Sequence, residues 1–189
     1  TPGHAAVVAP GLLPVLGAWL AARGARGTVP VVTDLHVAAH HGPTVLEALR
    51  AAGLTGELVA LPPGEATKSL ATVGMLYDRL AGLGVDRQGL VLALGGGVVT
   101  DVAGFAAATY LRGVPWVAVP TSLLGMADAA IGGKTVINLP AGKNLAGAFH
   151  PPAGVAVDPA ALATLPAAER RAGLAEVVKA ALIADAALF

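Results

Sequence analysis

At 189 residues the chain has room for one large domain, or for one domain and the start of another. Its 55% hydrophobic against 13% charged residues supply core material and little for a disordered tail. Twelve basic and twelve acidic residues cancel and are scattered, which excludes the electrostatic footprint of a protein that binds nucleic acid or an acidic membrane. Cysteine is absent, so disulfides and thiolate metal sites are excluded, in keeping with a cytoplasmic setting.

The first 22 residues lack Asp, Glu, Lys and Arg, yet Pro10, Gly11, Pro14 and Gly17 interrupt them and no basic segment precedes them. They predict a strand, a turn and a buried helix rather than a signal or membrane segment. Ala5 to Ala9 reads as that strand and Leu12 to Arg23 as the helix. Val29 to Thr33 is a second strand with Asp34 at its carboxyl end, and Pro43 to Ala52 a helix closed by Gly53. Glu57 to Leu61 is a third strand, and Lys68 to Leu83 a third helix. Short apolar runs alternating with helices predict parallel βαβ units, a Rossmann-like α/β sheet with ligands beyond the carboxyl ends of its strands.

The turn Pro63-Gly64-Glu65-Ala66-Thr67-Lys68-Ser69 follows the third strand. An acidic residue there can accept from ribose hydroxyls, with Lys68 balancing it or reaching a phosphate; a helix start with Glu on the positive end of the dipole is the plainer alternative. Leu90 to Leu94 is a buried strand ending on Gly95-Gly96-Gly97, and a helical segment carrying Asp101 and Gly104 follows. A strand, a turn free of Cβ atoms and a helix N-terminus leave backbone N–H groups to receive a phosphate. Thr100 stands where the third glycine of G-x-G-x-x-G would be, so the fingerprint is incomplete.

Val102 to Leu111 continues the helix, followed by Arg112 in YLRG. Trp116 to Val119 is a strand ending at Pro120, and Thr121-Ser122 predicts an N-cap for Leu123 to Ala130, a helix that carries Asp128. A carboxylate on so apolar a helix needs a cation, a hydroxyl or backbone to meet it. Lys134 and Lys143 then bracket a Gly/Pro-rich hairpin or loop, TVINLPAG, with Asn144 next. Gly154 to Asp158 is the last strand and Pro159 begins a short helix to Leu165-Pro166.

This order and spacing resemble the 3-dehydroquinate synthase family, sugar-phosphate cyclases of the shikimate pathway, from about Gly64 to Asp185. The strongest part is IGGKTVIN followed by AGKNLAGAFHPP. The resemblance implies an NAD- and divalent-metal-dependent enzyme (zinc or cobalt) that converts 3-deoxy-D-arabino-heptulosonate 7-phosphate into 3-dehydroquinate and phosphate. It assigns the cofactor to Glu65, Lys68, Gly96, Gly97, Val98, Asp101, Thr121, Ser122, Lys134, Lys143, Leu162 and Thr164. It places Asp128, Lys134, Lys143, Asn144 and Lys179 at the reacting centre, and implies a homodimer in which Arg112 enters the partner's site. Val136 and Ser122 depart from the family's usual Gly and Thr.

From Ala167 the pattern is continuous helix, which predicts an α/β domain over 1–166 and the first helix of an α-helical metal-binding domain over 167–189. At about 100° per residue Leu174, Val177, Val178, Ala181 and Leu182 form an apolar stripe, while Glu176 and Lys179 share the other side with Ala172, Ala180 and Ile183. Burial on both sides is therefore expected, and a buried carboxylate beside a lysine points to a site rather than a solvated i,i+3 pair. By resemblance Glu176 is a metal ligand, with two histidines elsewhere supplying the rest. The five histidines present, His4, His36, His40, His41 and His150, are not assigned to metal; His36 and His40 alone have i,i+4 spacing and read as a polar helix entry. No Met at position 1 and no cap after the helical pattern at Phe189 lead us to expect a piece of a longer protein.

Two other classes compete. Other sugar-phosphate cyclases generally lack an intact IGGKT, and metal-dependent alcohol or glycerol dehydrogenases share the glycine loop but lack AGKN. A nucleotide-binding module without catalysis is the third possibility.

Overall fold

The computed structural model describes residues 5–185 and 187; His4 and Phe189 lie outside the described residues. Among the described residues eight strands and five α-helices follow in the order β1 Ala5–Val8, α1 Leu16–Ala21, β2 Thr28–Asp34, α2 Leu35–Ala51, β3 Thr55–Leu61, α3 Leu70–Gly82, β4 Val91–Gly95, α4 Gly97–Thr109, β5 Trp116–Pro120, β6 Lys134–Leu139, β7 Gly142–Phe149, β8 Gly154–Val157 and α5 Ala167–Ala184. Six strands form a parallel sheet in the order β1-β8-β5-β4-β2-β3. β6 and β7 make a separate antiparallel hairpin.

Period-2 alternation sorts the core into two layers. Val91 and Ala93 of β4, with Trp116 and Ala118 of β5, face Val73, Leu76 and Leu80 of α3 and Val99, Val102 and Ala106 of α4. Leu92, Leu94, Val117 and Val119 face Leu16 and Leu20 of α1 and Val45 and Leu49 of α2. Strands β4 and β5 are buried throughout, as expected of a parallel sheet covered on both faces. Helix α4 comes close because position 104 is glycine: a Cβ there would stand 2.5 Å from Thr135 Cγ2 and 3.1 Å from the Trp116 ring.

The strands run outward in opposite senses from the β2–β4 boundary, since β3 lies beyond β2 while β5 and β8 lie beyond β4. Such a reversal leaves a crevice above the carboxyl ends of the two central strands. Here it falls between Asp34, which ends β2, and Gly95-Gly96-Gly97, which end β4.

Several elements differ from the sequence-based expectation. Helix α2 begins at Leu35, eight residues before Pro43, because Asp34 caps it by accepting from the backbone N–H groups of His36 (2.9 Å) and Val37 (3.0 Å). Pro43 lies inside that helix rather than at its start. Helix α4 begins directly on the glycine turn, with β-branched Val99 and Thr100 held there by burial. The segment after Thr121-Ser122 includes a π-helical turn, Gly125–Ala129, while Ser122 Oγ accepts from the Gly125 N–H at 3.1 Å, as the cap expectation requires.

Helix α5 departs most. Of the expected two buried sides, only Gly173 and Ala181 are buried; Leu174, Val178, Leu182 and Ile183 are exposed. Its closest approach is at Gly173, where a Cβ would stand 2.7 Å from Leu123 Cβ. Of the apolar stripe, Ala181 is buried and Val177 half-buried, while Leu174, Val178 and Leu182 stay exposed.

Asp158 closes the sheet at its other edge. Its carboxylate accepts from the Gly11 (2.9 Å) and Leu13 (3.0 Å) N–H groups and caps the 3-10 helix Pro159–Thr164 through the Ala160 N–H (3.0 Å). The turn after β1 is thus tied to the end of β8. No helix among the described residues is long and apolar enough to cross a membrane.

Candidate functional site

The crevice at the strand reversal opens into a cleft of about 1030 Å³. Every central strand delivers residues to it at its carboxyl end: Asp34 from β2, Gly64, Glu65 and Lys68 after β3, Gly96, Gly97 and Val98 after β4, and Thr121 and Ser122 after β5. Lys134 and Asn144 come from the hairpin, Asp128 from the π-helical turn, Thr164 from the 3-10 helix, and Glu176 from α5. Residues scattered through the sequence reading therefore line one wall-to-wall space.

At the base of α4 the N-cap is Gly96, which offers no side-chain acceptor. The first-turn N–H groups of Gly97, Val98 and Val99 have no partner within the helix, as at any helix start. With no side chain on Gly96 or Gly97, that positive dipole end is open to the cleft.

Beside it lies a polar network. Lys68, only 5% exposed, donates to Asp101 Oδ2 at 2.7 Å and to Asn144 Oδ1 at 2.6 Å. The lysine therefore balances Asp101 rather than Glu65, correcting one of the two roles the sequence suggested. Glu65 Oε1 instead accepts from Asn138 Nδ2 at 2.8 Å. Burial holds the Asp101 carboxyl above its ordinary value, against the opposing hydrogen bond and charge of Lys68.

On the opposite wall Glu176 forms an ion pair with Lys179, one turn further along α5. That pair, with Asp128 adding to it, holds the Lys179 ammonium above its usual range. Glu176 is 25% exposed and faces the cleft, while Lys179 is 53% exposed and does not line it. Among the described residues no three His, Asp or Glu side chains converge as a metal site, so Glu176 supplies a lone carboxylate and the described residues do not complete a metal's ligand set.

Other predicted residues also stand off the cleft. Lys143 precedes Asn144 on β7 and, unlike it, does not line the cleft. The Leu162 carbonyl is occupied by Arg170 Nη2 at 2.6 Å, and its side chain does not line the cleft. Arg112 sits with Leu111 in a left-handed turn at the end of α4, outside the cleft. Thr164 does line it: its hydroxyl donates to the Ala161 carbonyl at 3.0 Å and lies 2.8 Å from His41 Nε2. Burial, then His40, pushes the His41 imidazole down against the pull of Asp158.

Residues without a site role in the sequence reading include Asn138 and Glu169, and His36 and His40, which read there as a polar helix entry; all lie at or beside the cleft. Asp34 was visible at a strand end but not as a lining group. Its signal was position: the last residue of the strand flanking the reversal.

The model of the 3-dehydroquinate synthase N-terminal family matches residues 58–172. The 3-dehydroquinate synthase of Caulobacter vibrioides is 51% identical over 184 residues, 97% of this chain and 50% of that protein. The chain spans about half the length of the curated relatives it matches. The solved structure of 2-epi-5-epi-valiolone synthase from Streptomyces hygroscopicus subsp. jinggangensis, with NAD+ and Zn2+ bound, matches with a TM-score of 0.90 at 38% identity, over 98% of this chain and 51% of that one. A 2-deoxy-scyllo-inosose synthase complexed with carbaglucose-6-phosphate, NAD+ and Co2+ matches with a TM-score of 0.87 at 29% identity, over 94% of this chain and 49% of that one. The family match takes in the glycine turn, the IGGKT segment and Asn144, all of them brought to one cleft by the fold, and on that ground the chain belongs to the 3-dehydroquinate synthase family.

Proposed function

We propose that the protein is a 3-dehydroquinate synthase, using NAD and a divalent metal to convert 3-deoxy-D-arabino-heptulosonate 7-phosphate into 3-dehydroquinate and phosphate. The observation that carries this reading is the meeting of the Gly96-Gly97 turn, Lys134 and Asn144 in one cleft, in a chain 51% identical to a protein of that activity. The chain divides in this reading into an NAD-binding α/β domain, 1–166, and the opening helix of an α-helical domain, 167–189. The cytoplasm is the proposed compartment, in keeping with the absence of cysteine.

The cleft suits NAD. The uncapped start of α4, with Gly96, Gly97 and Val98, takes the pyrophosphate on backbone N–H groups. Glu65 keeps one carboxylate oxygen for ribose hydroxyls while Asn138 holds the other. Ser122 Oγ already accepts from Gly125, so its O–H is free to donate, and the Thr121 hydroxyl lies beside it. Thr164, whose proton is engaged by Ala161, meets the cofactor as an acceptor. Leu162 and Lys143 complete the proposed cofactor shell from just outside the described cleft. Lys68 and Asp101 act on the cofactor through the wall they build.

Bound NAD supplies reversible oxidation of a secondary alcohol, which acidifies the neighbouring C–H and lets phosphate leave. The chain's own groups supply charge and position. Lys134 and Asn144 orient the substrate and Asp128 stands beside the reacting carbons at the mouth between the sheet and α5, and Lys179, from just outside the cleft, balances a substrate anion. Glu176 is proposed as one metal ligand.

Support for a homodimer comes from β7, an edge strand of the hairpin, where Leu145 is 59% and Phe149 85% exposed. Exposed apolar edges of this kind invite pairing. Arg112 is proposed to reach the partner's site from the left-handed turn. Phe149→Asp is expected to move the protein from dimer to monomer in sedimentation, with the monomer keeping its secondary structure.

The assay that tests the function is phosphate release from the heptulosonate phosphate without net NADH accumulation. Steady NADH formation from glycerol or another alcohol would instead identify a dehydrogenase. NAD binding with neither activity would leave a nucleotide-binding module.

A further inference from the structure

The β6–β7 hairpin is irregular at one place. Its register shifts between Ile137 and Leu139, so Asn138 has no partner in the ladder. The Asn138 backbone N–H donates instead to the Lys68 carbonyl at 2.8 Å. Its carboxamide is engaged at both ends: Nδ2 donates to Glu65 Oε1 at 2.8 Å, and Oδ1 accepts from the Asn144 N–H at 2.9 Å.

Asn144 itself has a φ of +56°, a left-handed conformation that Asn tolerates better than most residues, and its N–H is held there by Asn138. Held there, its side-chain oxygen receives the Lys68 ammonium at 2.6 Å. Lys68 is almost fully buried and also holds Asp101, so the placement of Asn144 depends on Asn138 and the satisfaction of Lys68 depends on Asn144. Glu65 and Asn144, far apart in sequence and on different elements, are fixed to each other through one carboxamide.

We propose that Asn138 is a positioning residue: its side chain clasps the turn after β3 to the hairpin, and through the Asn144 amide it sets where Asn144 and Lys68 stand in the cleft. This inference rests on the synthase reading above. It assigns no contact between Asn138 and substrate or cofactor.

The arms can be separated by substitution in the full-length protein. Asn138→Asp keeps an oxygen to accept the Asn144 N–H but sets a carboxylate against that of Glu65, whereas Asn138→Leu, similar in size, loses both contacts. Because small displacements of a substrate-orienting group are costly, Asn138→Leu is expected to lower kcat by roughly ten- to a hundredfold. Asn138→Asp, which keeps the Asn144 contact, is expected to hold kcat within about threefold of wild type, a loss of under about 1 kcal/mol, while the repulsion at Glu65 shows as a raised KM for NAD. A folded Asn138→Leu protein with wild-type kcat overturns the proposal, and so does an Asn138→Asp protein as impaired as the Leu variant. Hydrogen exchange in the unmodified protein gives a second test that needs no variant: the Asn144 amide is expected to be protected, and free exchange there overturns the clasp even if Asn138→Leu fails to fold. A wild-type protein that neither binds NAD nor releases phosphate removes the synthase reading itself. A wild-type protein that does both, with kcat indifferent to Asn138→Leu, removes only this inference.

Discussion

Replacing Lys68 with Met is expected to destabilise the folded chain by about 3–5 kcal/mol, the cost of leaving one member of a buried ion pair without its partner. Lys68 and Asp101 are 5% and 15% exposed, so water cannot take over the lost contact. The Asn144 side-chain oxygen loses its donor in the same step. Pairing Lys68→Met with Asp101→Leu should recover much of the loss, since no buried charge is then left unpaired.

The Lys68→Met deficit should depend on pH in a defined direction. Burial raises the Asp101 carboxyl in the folded chain, so its protonated form favours folding. That contribution is complete below the ordinary carboxyl value, 3.8, and is lost as pH rises through the raised folded value. Without the ammonium, Asp101 holds its proton to higher pH still. The gap in Tm between wild type and Lys68→Met should therefore widen as pH rises through that range and narrow on acidification; a gap that stays constant would show that Asp101 is not the group left unpaired.

Gly96→Val is expected to weaken NAD binding by roughly a hundredfold, about 2.7 kcal/mol, with a much smaller change in stability. The backbone at Gly96 is extended, φ −77° and ψ −171°, so any residue could adopt it and the requirement is space. A Cβ there would stand 3.2 Å from Ser122 Oγ. The γ-methyls of Val would then cover the N–H groups that the proposed pyrophosphate needs, and a displaced Ser122 would let go of the Gly125 N–H. Titration calorimetry with NAD, read beside a melting curve, distinguishes blocked binding from unfolding. Wild-type affinity in the Val variant would falsify pyrophosphate binding at this turn.

The parallel sheet was legible because each strand is a short apolar run and each crossover a helix, a pattern only buried βαβ units explain. The glycine turn and the hydroxyl pair at Thr121-Ser122 were legible for the same reason: both end a strand. Helix α2 was not, because its start depends on one capping carboxylate and its interior holds a proline that ordinarily marks a beginning. The burial expected of α5 failed because hydrophobic periodicity states which side wants cover, not whether a neighbour provides it. Lys68 was legible as a cleft residue, but its partner Asp101 lies 33 residues on and is chosen by tertiary proximity. Asn138 left no local trace, since a register shift in a hairpin depends on both strands.

The first strand has a further consequence for how the molecule is made. Among the described residues β1 pairs in the sheet with β8 alone, joining Ala5 to Gly154, so a ribosome must deliver the chain through β8 before β1 finds that neighbour. Until then the growing polypeptide carries β1 as a loose ribbon and leaves one side of β5 uncovered. Translation arrested ahead of β8 would leave two sticky edges side by side, the situation in which nascent chains clump or recruit chaperones.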